Sequence, residues 1–477
     1  EMLRSLVGSE MCIRDRFYRA AYDYKGKYLA EVNGRYDGTS RFPRGKRYGF
    51  FPSFSAAYRI SEEAFFEPLR KTVDNLKIRL SYGSLGNQQI GYYDFIQTIT
   101  TKGSMSDYSF DGTILGQHAT VSDPVSGNQT WEKVVSKNLG VDLNMFSNRL
   151  SLTADFYIRD TKGILGKGKS LPSIYGAAEP QVNSNNLRTR GYELVLGWRD
   201  SFKLAGSTFS YGITGSFSDY TAKYTKCDNP SGLIGDPYVG KKYGEIWGYR
   251  VDGLFRNDEE AAEYASRVDL SKVAAGYSSA TGAYGKGVRG GDIKYLDLNG
   301  DGVVDSYDVK PIGYTAIPEI VYGFGFSLQW KAFDFSAFFQ GVGHVNFSTR
   351  TDQTQGFIAR NSREANLFSD VYDNYWTPER LDAKYPRLFI GTNNNNNQNS
   401  SFWMANGRYM RLKNLEIGYT LPKHISQKMA MQNMRVYLSG VNLFTFSPFK
   451  LWDPDLQTGA TNYPNNRIIN IGLTIGF

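Results

Sequence analysis

Between residues 297 and 308 the chain reads DLNGDGVVDSYD, a spacing of oxygen-bearing side chains that matches a calcium loop. Asp297, Asn299, Asp301, Asp305 and Asp308 fall on positions 1, 3, 5, 9 and 12 of such a loop. Gly302 stands at the sharp-turn position 6, and Val303 offers its carbonyl at position 7. Calcium needs several hard oxygens converging at ~2.3–2.6 Å, which this pattern can supply. Position 12 is Asp rather than the longer, bidentate Glu, and the flanks GGDIKY and VKPIGY are not EF-hand helices. The competing reading is an Asx-rich loop that closes on its own backbone without an ion. The pattern leans to calcium, in the role of stiffening a long loop.

Groups that could catalyse are scattered. The three histidines, His118, His344 and His424, are far apart in or beside loops. No G-x-S-x-G elbow, H-E-x-x-H pair or phosphate-cradling glycine loop occurs. Carboxylates are plentiful, but no spacing marks a glycosidase pair, so an enzyme is not expected. Cys12 and Cys227 fit neither a disulfide framework nor a metal knuckle. The net charge of +8 is spread over isolated Lys and Arg, which argues against nucleic acid as a partner. Binding of a nutrient is the remaining chemistry. Aromatic, amide and carboxylate side chains mingle in SDVYDNYWTPE, NNNNNQNSSFW and LWDPDLQTGATNYPNN, and Trp376, Trp403 and Trp452 are the candidate platforms. Loop packing is the competing role for each, and the Asn run 393–397 reads as a mobile hydrophilic loop.

The elements that carry these loops are strands. Tyr (34), Phe (30) and Gly (50) are abundant, yet the mean hydropathy is −0.44. No stretch approaches the ~18 apolar residues of a membrane helix. A transmembrane barrel shares this composition, because only alternate residues of each strand face lipid. So does a large soluble β-sandwich or propeller. Period-two alternation recurs about a dozen times, as in NLGVDLNMF and LSLTADFYIR. Short connections (25–26, 147–149, 331–332) alternate with long ones, the largest being 220–321 and 341–408. All tight turns therefore fall at one end of the sheet and all long loops at the other, as in an outer-membrane barrel. Strand-end aromatics such as Trp198, Tyr220, Trp330 and Tyr419 suit an interfacial girdle. The chain ends RIINIGLTIGF, with Ile469, Ile471, Leu473, Ile475 and Phe477 on one face and Asn470, Gly472, Thr474 and Gly476 on the other. Counting parity back from Phe477 places the C-terminus on the turn side, the periplasm.

Several phrases, in order, resemble the TonB-dependent outer-membrane transporters, specifically the SusC/RagA-like branch of Bacteroidetes. They include RYDGTSRFPRGKRYGFFPSFSAAYRISEE, LKIRLSYGSLGNQQIG, NRLSLTADFYIRDTKGIL, LDLNGDGVVDSYD, YWTPERLDAKYPRL, GRYMRLKNLEIGYTLP and VYLSGVNLFTFS. The resemblance runs from residue 17 to the end and covers only the C-terminal part of such a protein. It implies an all-β fold, a transmembrane antiparallel β-barrel of which roughly 13–14 of ~22 strands are present, with long extracellular loops. Plug, TonB-binding box and first strands are expected to be missing, making this a fragment whose last strand awaits its partner. Residues 1–16 have neither alternation nor a signal-peptide layout and are expected to be foreign to the protein, with a truncated N-terminus.

The resemblance further implies nutrient import across the cell outer membrane, of glycan oligosaccharides or else oligopeptides. It implies a SusD-like lipoprotein over the loops, the TonB complex acting through the plug, and the barrel-assembly machinery reading the terminal strand and Phe477. The alternative from another class is a soluble, calcium-stabilised, β-rich glycan-binding module.

Overall fold

The computed structural model describes residues 13–103, 109–110, 113–114, 117–169, 171–229, 235–274, 278–279, 287–351, 354, 367–389, 391–428, 431–459 and 462–477. Thirteen long strands are hydrogen-bonded in chain order. They are β1 Ile13–Tyr24, β2 Tyr28–Thr39, β3 Tyr48–Arg59, β4 Val73–Asn87, β5 Glu132–Met145, β6 Leu150–Lys167 and β7 Gln181–Leu204. There follow β8 Ser207–Lys226, β9 Ile320–Trp330, β10 Phe333–Gly343, β11 Tyr409–Thr420, β12 Asn433–Phe446 and β13 Ile468–Gly476. The all-β antiparallel expectation is met. Of the opening segment thought foreign, residues 1–12 lie outside the described residues, while 13–16 already belong to β1. No described helix is long and apolar enough to cross a membrane. Two compact units divide the chain, residues 1–197 with 220–243 and residues 198–219 with 244–477.

In the first unit, β1 to β6 form a meander whose turns follow from local chemistry. The first connection, expected over 25–26, spans the three residues 25–27 between Tyr24 and Tyr28. Lys25 and Gly26 adopt φ of 56° and 66° there, and Phe146, Ser147 and Asn148 turn the chain in the same left-handed region. Register then sorts the side chains, because directly opposed residues share a face. Ala30, Ala56, Leu80, Leu139 and Phe156 lie side by side across five strands. The last three are exposed by 54, 43 and 50 %. Ala57, Arg79, Gly140 and Asp155 line up in the next row, on the opposite face. A sheet apolar on one face and charged on the other meets lipid and water separately.

Gly140 has a specific reason to be there. Arg79 on β4 gives Nε and Nη2 to Asp142 on β5 at 2.8 and 3.0 Å, and Nη1 and Nη2 to Asp155 on β6 at 3.1 and 3.0 Å. To reach Asp155 the guanidinium crosses the intervening strand over Gly140, where a Cβ would stand 2.6 Å from Arg79 Cζ.

The second unit repeats the device. Asp334 on β10 faces Gly418 on β11, and Arg435 on β12 reaches over that glycine, with Nε 3.1 Å from Asp334 Oδ1. Its Nη2 bonds Asp334 and Glu416. A Cβ on Gly418 would meet both Arg435 and Asp334 at about 2.5 Å. On the other face, Ile469, Ile471, Leu473 and Ile475 of β13 pair with Gly440, Leu438, Val436 and Met434, and these three isoleucines and one leucine are 36–83 % exposed. Aromatics gather at the tight-turn end: Phe333 lies 4.8 Å from Tyr419, and Trp330 Nε1 donates to the Leu204 carbonyl. Tyr28 and Tyr58 stack at 5.0 Å at the corresponding end of the first unit.

The long connections differ in bounds from expectation. The loop expected over 220–321 spans 227–319, because β8 keeps its alternation through Tyr220, Ala222 and Tyr224. That expected over 341–408 spans 344–408, since Gly341, Val342 and Gly343 complete β10 against β9.

Candidate functional site

The loops of the second unit build a core of their own. Phe255, Leu270, Val273, Ile293, Tyr295 and Val304 from one connection pack with Val371, Tyr385 and Trp403 from the next. A helix at Asp258–Arg267 borders it, started by Asn257, whose side chain accepts from the Glu260 amide at 2.9 Å. Glu260 in turn accepts from the Arg256 amide and from Lys294, which hold its carboxyl below the ordinary range.

Asp292 is the polar centre of this core. Fully buried, it receives Arg387 Nε on Oδ1 at 2.8 Å and Nη2 on Oδ2 at 3.1 Å. Asn393 and Asn396 add their side-chain amides to Oδ1, each at 3.0 Å, and the Arg289 amide caps Oδ2 at 2.9 Å. Asn396 also takes the Ile293 amide, Asn395 donates to the Ile293 carbonyl, and Trp403 Nε1 donates to the Asn396 carbonyl at 2.8 Å. The Asn run read as a mobile hydrophilic loop is therefore the interior of the loop assembly, with Asn393, Asn395 and Asn396 at 0, 0 and 1 % exposure. Its amides supply the donors that the buried Asp292 carboxylate demands and pair both backbone groups of Ile293.

The 297–308 loop is held by its own backbone. Asp297 accepts from the amides of Gly300 and Gly302 at 2.7 and 2.8 Å, Asp301 from Val303 at 2.9 Å, and Asp305 from Tyr307 at 2.8 Å. Asn299 accepts from the Asp301 amide and donates to the Asp301 carboxylate. Asp308, fully buried, accepts from Leu298, Asn299 and Asp305. Gly302, at φ +82°, lets the chain turn back so that its carbonyl meets the Asp269 amide at 2.7 Å. Among the described residues no group of three or more His, Cys, Asp or Glu side chains converges as metal ligands do.

The three tryptophans have separate surroundings. Trp403 is 1 % exposed and belongs to the core, so the platform role expected for it gives way to packing. The Trp376 ring lies where a Cβ on Gly291 would come within 2.5 Å, under the 290–291 turn. Trp452 stacks on Phe368 at 5.7 Å, meets Phe449 edge-on at 4.6 Å, and donates to the Gln457 carbonyl at 2.7 Å. His344 stacks on Tyr314 at 4.5 Å, and His424 falls in the short helix Lys423–Lys428.

Beside Trp403 opens a cavity of about 440 Å³. Phe402, Phe449, Pro448 and Leu451 supply its apolar wall, and Asp370, Lys384, Asn406 and Lys450 its polar one. Asp370 Oδ2 accepts from Lys384 Nζ and Tyr385 Oη, each at 2.6 Å, and these bonds hold its carboxyl below the ordinary range. This volume and mixture suit recognition of a small group. Neither Asp292, Arg387 nor the cavity was legible beforehand: their partners lie about a hundred residues apart in sequence, and no periodicity joins them.

A family model described as TonB dependent receptor-like, beta-barrel matches residues 14–310. Among curated proteins, the TonB-dependent receptors P3 and P26 of Formosa agariphila are 28 % and 29 % identical over 97 % of this chain. The TonB-dependent receptor SusC of Bacteroides thetaiotaomicron is 26 % identical, again over 97 %. These matches cover 45, 46 and 43 % of the relatives, so the chain spans about half their length. The solved structure of the RagAB peptide transporter aligns with a TM-score of 0.72 at 21 % identity, covering 98 % of this chain and 48 % of that one, which shows the same fold.

Proposed function

Since the chain belongs to the TonB dependent receptor-like β-barrel family, we propose that it forms wall and extracellular loops of a SusC-type importer that carries nutrient oligomers across the outer membrane. The observation that carries this reading is the two-faced sheet. Its apolar rows, such as Leu80, Leu139 and Phe156, suit lipid, while its charged rows, such as Arg79 and Asp155, suit a water-filled lumen. In the membrane core every backbone group must be paired, and a closed set of such strands meets that demand. The long loops then stand outside the cell, where a loop core tied by Asp292 and Arg387 presents a fixed surface.

On this reading, a nutrient is caught at the loops and lumen, and energy enters through TonB acting on a plug. A SusD-like lipoprotein covers the loops, which the relationship to SusC supports. The C-terminus lies in the periplasm, and the exposed apolar face of Ile469, Ile471, Leu473, Ile475 and Phe477 is what the barrel-assembly machinery grips. The oligomer is a glycan or a peptide. Trp376 and Trp452, both part-exposed, remain the aromatic contacts for it. No step of import requires a covalent reaction by the protein.

Calcium at 297–308 is a separate proposal. The ligand spacing and the turns at Gly300 and Gly302 support it; the hydrogen bonds that already satisfy Asp297, Asp301, Asp305 and Asp308 support a loop that stands without the ion. Uptake of labelled oligomers by cells, lost when the proton gradient is collapsed, tests the import reading; uptake that survives collapse counts against energised transport.

A further inference from the structure

We infer that the cavity beside Trp403 takes the carboxylate end of an oligopeptide whose last side chain is apolar. This inference rests on the import reading and narrows its substrate.

Most hydrogen-bond acceptors on the side chains lining the cavity already have donors. Of the Asp370 carboxylate, Oδ1 takes the Asn374 side-chain amide at 3.3 Å, and Oδ2 is occupied by Lys384 and Tyr385. Tyr385 spends its hydroxyl proton there, and Thr349 spends its own on the Trp403 carbonyl at 3.0 Å. Asn406 Oδ1 accepts from the Arg408 amide at 3.1 Å. What is left is mainly donors: two further protons on the Lys384 ammonium, the side-chain NH2 of Asn406, and the Lys450 ammonium. A carboxylate offers acceptors only and is matched by such a set. A neutral sugar, which presents donors and acceptors in equal number, is not.

The apolar wall agrees. Phe402 meets Trp403 at 79°, and both line the cavity with Phe449, Pro448 and Leu451, so the wall is an angled corner of rings rather than one flat platform. Such a corner suits a branched aliphatic or aromatic side chain, and about 440 Å³ suits one residue with its terminal carboxylate.

The test uses the whole protein as cells make it, purified from outer membranes in detergent. Its probes are a fluorescein-labelled Gly-Gly-Ser-Gly-Leu with a free carboxylate, the same peptide as C-terminal amide, and trigalacturonate. Anisotropy should show the free acid binding roughly tenfold tighter than the amide, the effect of one charge-assisted contact. In the K384Q/K450Q protein the two should bind within about twofold of each other, while K331Q, in a distant turn, should keep the difference. Equal binding of acid and amide by the unaltered protein, no binding of either, or tighter binding of trigalacturonate would each overturn the inference. Outer-membrane location and energised uptake that persist beside such a result leave the import reading standing; their absence sinks that reading whatever the peptides do.

Discussion

Asp292 and Arg387, 95 positions apart in sequence, form a two-pronged ion pair at 2.8 and 3.1 Å, with the carboxylate fully buried and Asn393 and Asn396 completing its shell. Removing one partner of such a pair leaves an unpaired buried charge, at a cost of about 3–5 kcal/mol. Arg387→Ala should therefore loosen the loop core while sparing the strands. Limited proteolysis checks this: new cuts are expected within 287–303 and 391–403 in the variant, and an unchanged digest would show that the pair does not hold the loops.

The glycine crossings make a sharper claim about the strands. Gly418→Leu should displace Arg435 from Asp334, because even a Cβ there stands about 2.5 Å from both. Gly215→Leu is the control, since nothing lies within 4 Å of its Cβ. The first should lower the yield of heat-modifiable, assembled protein in the outer membrane, and the second should not. Equal yields would remove the crossing from the account.

Trp403→Ala removes a core side chain, with an expected loss of about 3–5 kcal/mol of loop stability. Trp452→Ala, at a part-exposed site, should weaken binding of substrate without lowering outer-membrane abundance. Comparing abundance and binding for the two variants separates a packing role from a contact role.

Acid should act on the loops through Asp370. Lys384 first, then Tyr385, holds this carboxyl below its usual 3.8. A carboxyl with a depressed folded value contributes stability that is present above the unfolded value and fades as pH falls through the folded one. The clamp between 370 and 384–385 should thus persist down to about pH 4 and be lost only below it. Asp370→Asn should abolish the acid-induced rise in protease sensitivity of this segment; a variant that keeps the transition would point to another group.

For the 297–308 loop, chelator is the decisive reagent. If calcium is bound, removing it should raise protease cutting there, and Asp301→Ala should abolish the difference. Identical digests with and without chelator in the unaltered protein would leave the hydrogen bonds of Asp297 and Asp308 as the only brace.

The strands were legible because alternation is local: Leu139, Val141 and Leu143 declare a face within a few residues. The loops were not. Asn393–Asn397 looked solvated because asparagine is usually exposed, yet Asn393, Asn395 and Asn396 are buried by partners about a hundred residues upstream. Trp403 stood out in the sequence as a candidate aromatic platform, but its burial depends on Phe255, Tyr295 and Val371, which no local pattern ties to it. Gly140 and Gly418 were visible only as small residues on a polar face; their purpose depends on three-strand register.

The central claim is that this sheet is part of an outer-membrane importer wall. Cell fractionation with gel mobility before and after heating tests it most directly. The protein should be found in the outer-membrane fraction and migrate faster unheated than heated, as a folded barrel does. Recovery only from the soluble periplasm, with no heat-dependent shift, would contradict it and favour a soluble glycan-binding module.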